Sequence, residues 1–153
     1  MIFEGDVLLI DTPDGGDIVI ENDLIQPDKN FSTAVYLSLF GGNKDDTGKV
    51  KNKNQWWGNY LAGISQNEKL RSRFQNIIMG LPMTVKNIND AENAAYKDLE
   101  WFIEDEIADK ITIQSQTTGI KRFNLYVKIE KNILTIFENT YHLLWGSENV
   151  HTV

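Results

Sequence analysis

Residues 84–137 read TVKNINDAENAAYKDLEWFIEDEIADKITIQSQTTGIKRFNLYVKIEKNILTIF, and the periodicity of this stretch decides the fold. In its first half Ile88, Ala91, Ala95, Leu99, Phe102, Ile103 and Ile107 recur by threes and fours, which is one face of a helix. Thr84 stands where a short side-chain oxygen accepts an orphan helical N–H. The spacing therefore predicts one long amphipathic helix over about 84–108. Beyond it the period falls to two. Ile111, Ile113 and Ser115 alternate with Thr112, Gln114 and Gln116, and Phe123, Leu125, Val127 and Ile129 alternate with Asn124, Tyr126, Lys128 and Glu130. Turns at Thr117-Thr118-Gly119 and Lys131-Asn132, with a third apolar run over 133–137, predict a three-stranded antiparallel meander with one polar face.

Upstream, Leu70, Phe74, Ile77 and Ile78 predict a helix over 67–79, stopped by Gly80-Leu81-Pro82. Phe31 to Phe40 is apolar nearly all round, which predicts a buried helix ended by Gly41-Gly42, with Asp28 or Asn30 as its cap and 26–30 as a loop. Nearer the start, Val7-Leu8-Leu9-Ile10 and Ile18-Val19-Ile20 flank Pro13-Asp14-Gly15-Gly16, a turn signal that predicts a β-hairpin. Strands segregated from helices define an α+β class: an N-terminal hairpin, central helices including the long one, and a C-terminal meander whose one face the long helix covers. We expect a single domain over 1–153, its core at about 6–138 and 139–153 a C-terminal extension that adds a strand or a short helix.

The chain has 153 residues, 41% of them apolar and 24% charged, which suits one soluble domain with a real core. It has no cysteine, so disulfides, thiolate metal sites and a cysteine nucleophile are excluded together. A net charge of -7 argues against a broad nucleic-acid surface. No apolar run approaches a membrane span, and Met1-Ile2-Phe3-Glu4-Gly5-Asp6 does not read as a signal peptide.

Little chemistry is legible. His142 and His151 are not spaced as metal ligands, no glycine-rich phosphate loop occurs, and no serine sits in a nucleophile elbow. Neither a metal nor a cofactor is expected. Glu100, Glu104, Asp105, Glu106 and Asp109 crowd the end of the long helix; the spacing turns most of them to water, opposite Leu99, Ile103 and Ile107. Asn43 to Gln55 is polar, carries Lys44, Lys49, Lys51 and Lys53, and runs into Trp56-Trp57-Gly58. Adjacent side chains on one element cannot both face one core, so one indole needs a second surface. Tryptophan and arginine dominate interface hot spots, which makes Trp56, Trp57, Gly58, Arg71, Arg73 and Trp145 the candidate protein-contact residues. The alternatives are that both indoles anchor the loop on its own core, and that the arginines pair within the chain.

The ordered set Thr33-Ala34-Val35-x-Leu37-Ser38-Leu39-Phe40, Trp56-Trp57-Gly58, Ser72-Arg73-Phe74, Leu99-Glu100-Trp101-Phe102 and Ile111-Thr112-Ile113 resembles the Mu-like phage baseplate wedge proteins of contractile tails, over roughly 10–137. The first helix followed by Trp-Trp-Gly is the most specific part. The stretch between Met79 and Thr84 is shorter than the family pattern, and the tail after Trp145 departs from it. The resemblance implies a structural protein, present in several copies in the virion tail baseplate after assembly from the host cytoplasm. Its implied partners are other tail proteins (hub, wedge, and sheath or tube initiators), with neither nucleic acid nor membrane. Trp57→Ala is then expected to impair assembly more than folding and Trp56→Ala the reverse, or the two roles are swapped; equal losses of thermal stability would contradict this. Two other readings stay open. One is a cell-wall glycan hydrolase using Glu104 or Glu106 with another carboxylate. The other is an adaptor that binds a peptide along a sheet edge.

Overall fold

A computed structural model describes residues 6–12, 15–28, 30–41, 63 and 72–146. The N-terminal part is a set of short antiparallel pairs. Strands β1 (Asp6–Val7), β2 (Leu9–Thr12), β3 (Gly15–Ile18), β4 (Ile20–Glu21), β5 (Leu24–Ile25) and β6 (Pro27–Asp28) pair as β2 with β3, β4 with β5, and β1 with β6. The expected hairpin is β2–β3, with Leu9 opposite Ile18. Asn22 and Asp23 join β4 to β5 at φ 51° and 62°, the left-handed pair that a two-residue hairpin turn requires and that Asn and Asp tolerate. The expected loop at 26–30 is corrected: Pro27 and Asp28 form a strand opposite Val7 and Asp6. Local turn composition is blind to a partner 20 residues away.

Helix α1 (Ser32–Phe40) buries Val35, Leu39 and Phe40 together with Thr33 and Ser38. Its cap residue is Phe31, in the left-handed conformation at φ 60°. Asp28 holds this bend from upstream, accepting the Asn30 N–H at Oδ1 (3.0 Å) and the Thr33 N–H at Oδ2 (2.6 Å). Gly41 closes the helix where a Cβ would lie 2.6 Å from the Leu37 carbonyl oxygen. Helix α2 (Arg73–Gly80) and helix α3 (Val85–Leu99) follow, and Thr84 caps α3 as expected by accepting the Asn87 N–H at 3.2 Å.

The long amphipathic helix is α3, and only its expected end near 108 is corrected. It breaks at Glu100 into a short α4 (Trp101–Glu104), and Glu106 adopts φ 57°. The Phe102 carbonyl accepts both Ile107 N–H (2.9 Å) and Ala108 N–H (2.8 Å), which folds the chain back toward the sheet. The apolar rhythm persists through the bend, because Phe102 and Ala108 are still buried and Ile103 and Ile107 still pack against the core. Periodicity alone therefore cannot see the break. Among the described residues, no helix is long and apolar enough to cross a membrane.

The meander is β7 (Lys110–Gly119), β8 (Arg122–Lys131) and β9 (Leu134–Leu144), antiparallel in that order. Phe123, Leu125, Val127 and Ile129 of β8 are buried, and α3 packs beside β7. The edge of β7 is covered in part by Glu92 of α3, whose Oε1 accepts the Ser115 N–H at 2.6 Å. Three boundaries move, one being the second turn, which is Asn132-Ile133 rather than Lys131-Asn132. The first turn is Ile120-Lys121 rather than Thr117-Thr118-Gly119, since the strand runs through Gly119 across a register shift. The core does not end at 138: β9 continues to Leu144, and Tyr141, Leu143 and Trp145 point inward. Asn139 and Thr140 hide this extension in the sequence, although the period of two resumes after them.

Candidate functional site

Several described residues of the sequence motifs pack around helix α1. Thr33 Oγ1 donates to the Val7 carbonyl (2.8 Å), tying α1 to β1. Ser38 Oγ donates to the Ala34 carbonyl (2.8 Å) and accepts the Trp101 indole N–H (3.0 Å), tying α1 to α4. Ser72 Oγ donates to the Ser38 carbonyl at 3.0 Å. Phe74 is fully buried, edge-on to Phe40 (5.7 Å) and tilted against Phe123 (6.2 Å), and Phe31 meets Phe102 edge-on at 5.6 Å. Ser38, Ser72, Phe74, Trp101 and Phe102 thus hold helices α1, α2 and α4 together, and Thr33 ties α1 to β1.

Arg73, a candidate contact residue, pairs within the chain. Its Nη1 donates to Asp98 Oδ1 at 3.0 Å, and Asp98 Oδ2 accepts the Phe74 N–H at 2.9 Å. The Asp98 side chain has no exposed surface, whereas that of Arg73 remains 38% exposed. Burial pushes the Asp98 carboxyl up to about 6, against the downward pull of the Phe74 and Arg73 N–H groups and of the guanidinium charge. Sequence reasoning missed Asp98. The signal was present: Ala91, Ala95, Asp98 and Phe102 follow one another by four, three and four, so an acid occupies the buried stripe. A buried acid in that position is expected to be paired.

Trp145 is corrected from a contact residue to a core residue. It is buried, edge-on to Phe123 at 5.3 Å, and its indole N–H donates to the Leu81 carbonyl at 2.6 Å. A large amphipathic ring at the end of a period-two strand is drawn inside once its N–H finds an acceptor. Trp56, Trp57, Gly58 and Arg71 lie outside the described residues.

The acidic cluster is spread over the surface. Glu100 pairs with Lys97 at 2.7 Å, and Glu104, Asp105 and Glu106 are exposed. Asp109 clamps the β8–β9 turn: Oδ2 accepts the Asn132 N–H (2.7 Å) and Oδ1 the Lys131 ammonium (2.8 Å), which hold its carboxyl below the usual range. His142 is exposed on β9, with Nδ1 2.9 Å from Asn124 Oδ1. Among the described residues, no group of three or more His, Asp or Glu is placed to hold a metal ion.

Among the described residues, a largely apolar groove offers a surface for other molecules. It encloses about 660 Å³ and lies between Leu81, Val85 and Ile88 on one side and Thr117, Ile120 and Lys121 on the other, beside Trp145. Its rim residues Val85 and Ile120 are 77% and 93% exposed. At the other end of the meander Ile133 is 97% exposed and adopts φ 64°, a strained conformation for a β-branched residue. In the N-terminal region Ile20, Leu24 and Ile25 are exposed on β4 and β5. Compared with known proteins, the chain matches no protein-family model, no curated protein and no solved structure.

Proposed function

We propose that this α+β chain is a structural component of a contractile phage or prophage tail baseplate, joining the wedge to the hub and to the start of the sheath. The observation that carries the reading is the exposure of large apolar side chains at separate places: Ile20, Leu24 and Ile25 on β4–β5, Leu81, Val85 and Ile120 around the groove, and Ile133 and Leu134 at the β8–β9 turn. Exposed apolar patches mark contact surfaces, and patches on separate faces suit a part that meets several neighbours. The sequence resemblance supplies the kind of assembly. The glycan-hydrolase alternative gains no support from the geometry, since Glu104 and Glu106 are exposed and the groove lining contains no carboxylate.

The test is mass spectrometry on particles pelleted from an induced culture of the source organism. The chain is expected to co-sediment with sheath and tube proteins, at far lower abundance than either. Tails that pellet without it, while it stays in the soluble fraction, would overturn the proposal.

A further inference from the structure

The two ends of the meander are complementary to each other. One end is a protruding turn: Ile133 and Leu134 are 97% and 69% exposed. This turn is not loose. Asp109 accepts from Asn132 N–H and from Lys131, and Lys131 also donates to the Glu106 carbonyl at 3.0 Å, so an apolar tip in a strained left-handed conformation is fixed in place. Strain persists only where the surroundings over-determine it, and here it presents an isoleucine to solvent. Beside the tip stand the exposed Glu106 and Asp109, the latter paired with Lys131, and the exposed Glu104 and Asp105 precede them in the chain; Lys110 there is paired with Glu130.

The opposite end, about 30 Å away along the ten residues of β8, is the apolar groove. It holds no carboxylate, and Lys121 is among its lining residues. Arg122 lies beside it: a Cβ on Gly119, which lines the groove, would stand 3.7 Å from Arg122 Cδ. Among the described residues neither Lys121 nor Arg122 forms an ion pair. Helix α3 begins at the groove with Thr84 and Val85 and runs toward the acidic end, so its dipole adds positive potential to the basic side.

We propose that the chain associates head to tail with copies of itself, Ile133 and Leu134 of one copy seating in the groove between Leu81, Val85 and Ile120 of the next. The acids around the tip then face Lys121 and Arg122. Because the two surfaces differ, the contact is heterologous and generates a ring or an open stack rather than a closed two-fold dimer. The inference does not rest on the baseplate reading: a chain that self-associates yet stays out of tails, or enters tails as a monomer, separates the two.

The experiment is sedimentation equilibrium of the full chain across a wide concentration range, at low and high salt. The mean mass is expected to rise with concentration and to rise less at high salt, because screening weakens the charge match. Ile133→Asp and Ile120→Asp are each expected to weaken association by tenfold or more, since each places a charge in the apolar contact. Mixed together they should recover association that stops at two copies, one variant supplying an intact groove and the other an intact tip. Ile133→Gly guards against a folding artefact: it relieves the left-handed strain, so it should unfold no earlier than the parent and still lose association. A monomer at every concentration would overturn the proposal. So would association untouched by these substitutions, or a mixture that stays monomeric.

Discussion

Phe74→Ala is expected to lower the unfolding free energy by about 3–5 kcal/mol, the usual range for removing a fully buried phenylalanine. The ring lies where three elements converge: edge-on to Phe40 of α1, tilted against Phe123 of β8, and carried by the first turn of α2. Its neighbours are themselves anchored, Phe40 by a further edge contact with Tyr141 (5.4 Å) and Phe123 by Trp145 (5.3 Å). Collapse into the cavity would break those ring contacts, so the cost falls at the upper end of the range. For a chain of this length the melting temperature should drop by roughly 8–15 °C. Calorimetry of the variant checks this. A loss under about 1 kcal/mol would mean that the junction of α1, α2 and β8 is not the centre of the core.

Asp98→Ala is expected to cost about 1–3 kcal/mol, because it strands the buried Phe74 N–H, whereas the 38% exposed Arg73 can return to water. The Phe74 N–H loses its acceptor at the start of α2, and Arg73 loses its ion pair. The pH dependence of the same group has a definite sign. Its folded pKa is raised from 3.8 to about 6, chiefly by burial. Between these values the folded state binds the proton more tightly than the unfolded state, so stability from this group is complete below about pH 4 and falls as pH rises through about 6. The span is on the order of 3 kcal/mol, from ~1.4 kcal/mol per pKa unit.

Asp98→Asn keeps the shape and removes the titration. The stability difference between wild type and Asp98→Asn, from urea unfolding at a series of pH values, should therefore shift against the wild type from pH 4 to 6 and be level above 7. A difference that shifts the other way would mean that Arg73 and the Phe74 N–H outweigh desolvation.

The legible parts of the sequence were those whose signal is local. Alternation in β8 places Phe123, Leu125, Val127 and Ile129 inside without reference to any other element, and Thr84 caps α3 through a bond three residues away. The candidate site was less legible. The sequence leaves Arg73 open between an outside partner and one within the chain; the partner is Asp98, 25 residues on, and no periodicity reports that pairing. Trp145 was singled out for its size, and its fate was set by the Leu81 carbonyl, 64 residues away in sequence. The tip at Ile133 was missed because the sequence reading placed the turn at Lys131-Asn132, and the strain of an isoleucine at φ 64° exists only once Asp109 holds the turn.

The sequence by itself determined the α+β class, the approximate position of each main helix and strand, and which face of the meander turns inward, because these follow from side-chain period and from capping within a turn of chain. Tertiary structure alone decided where the long helix breaks, which aromatic and charged residues are consumed inside, and which apolar side chains are left facing outward. Those outcomes depend on hydrogen-bond acceptors and ring partners supplied by distant segments, and burial stabilises a side chain only when such partners are there to meet it.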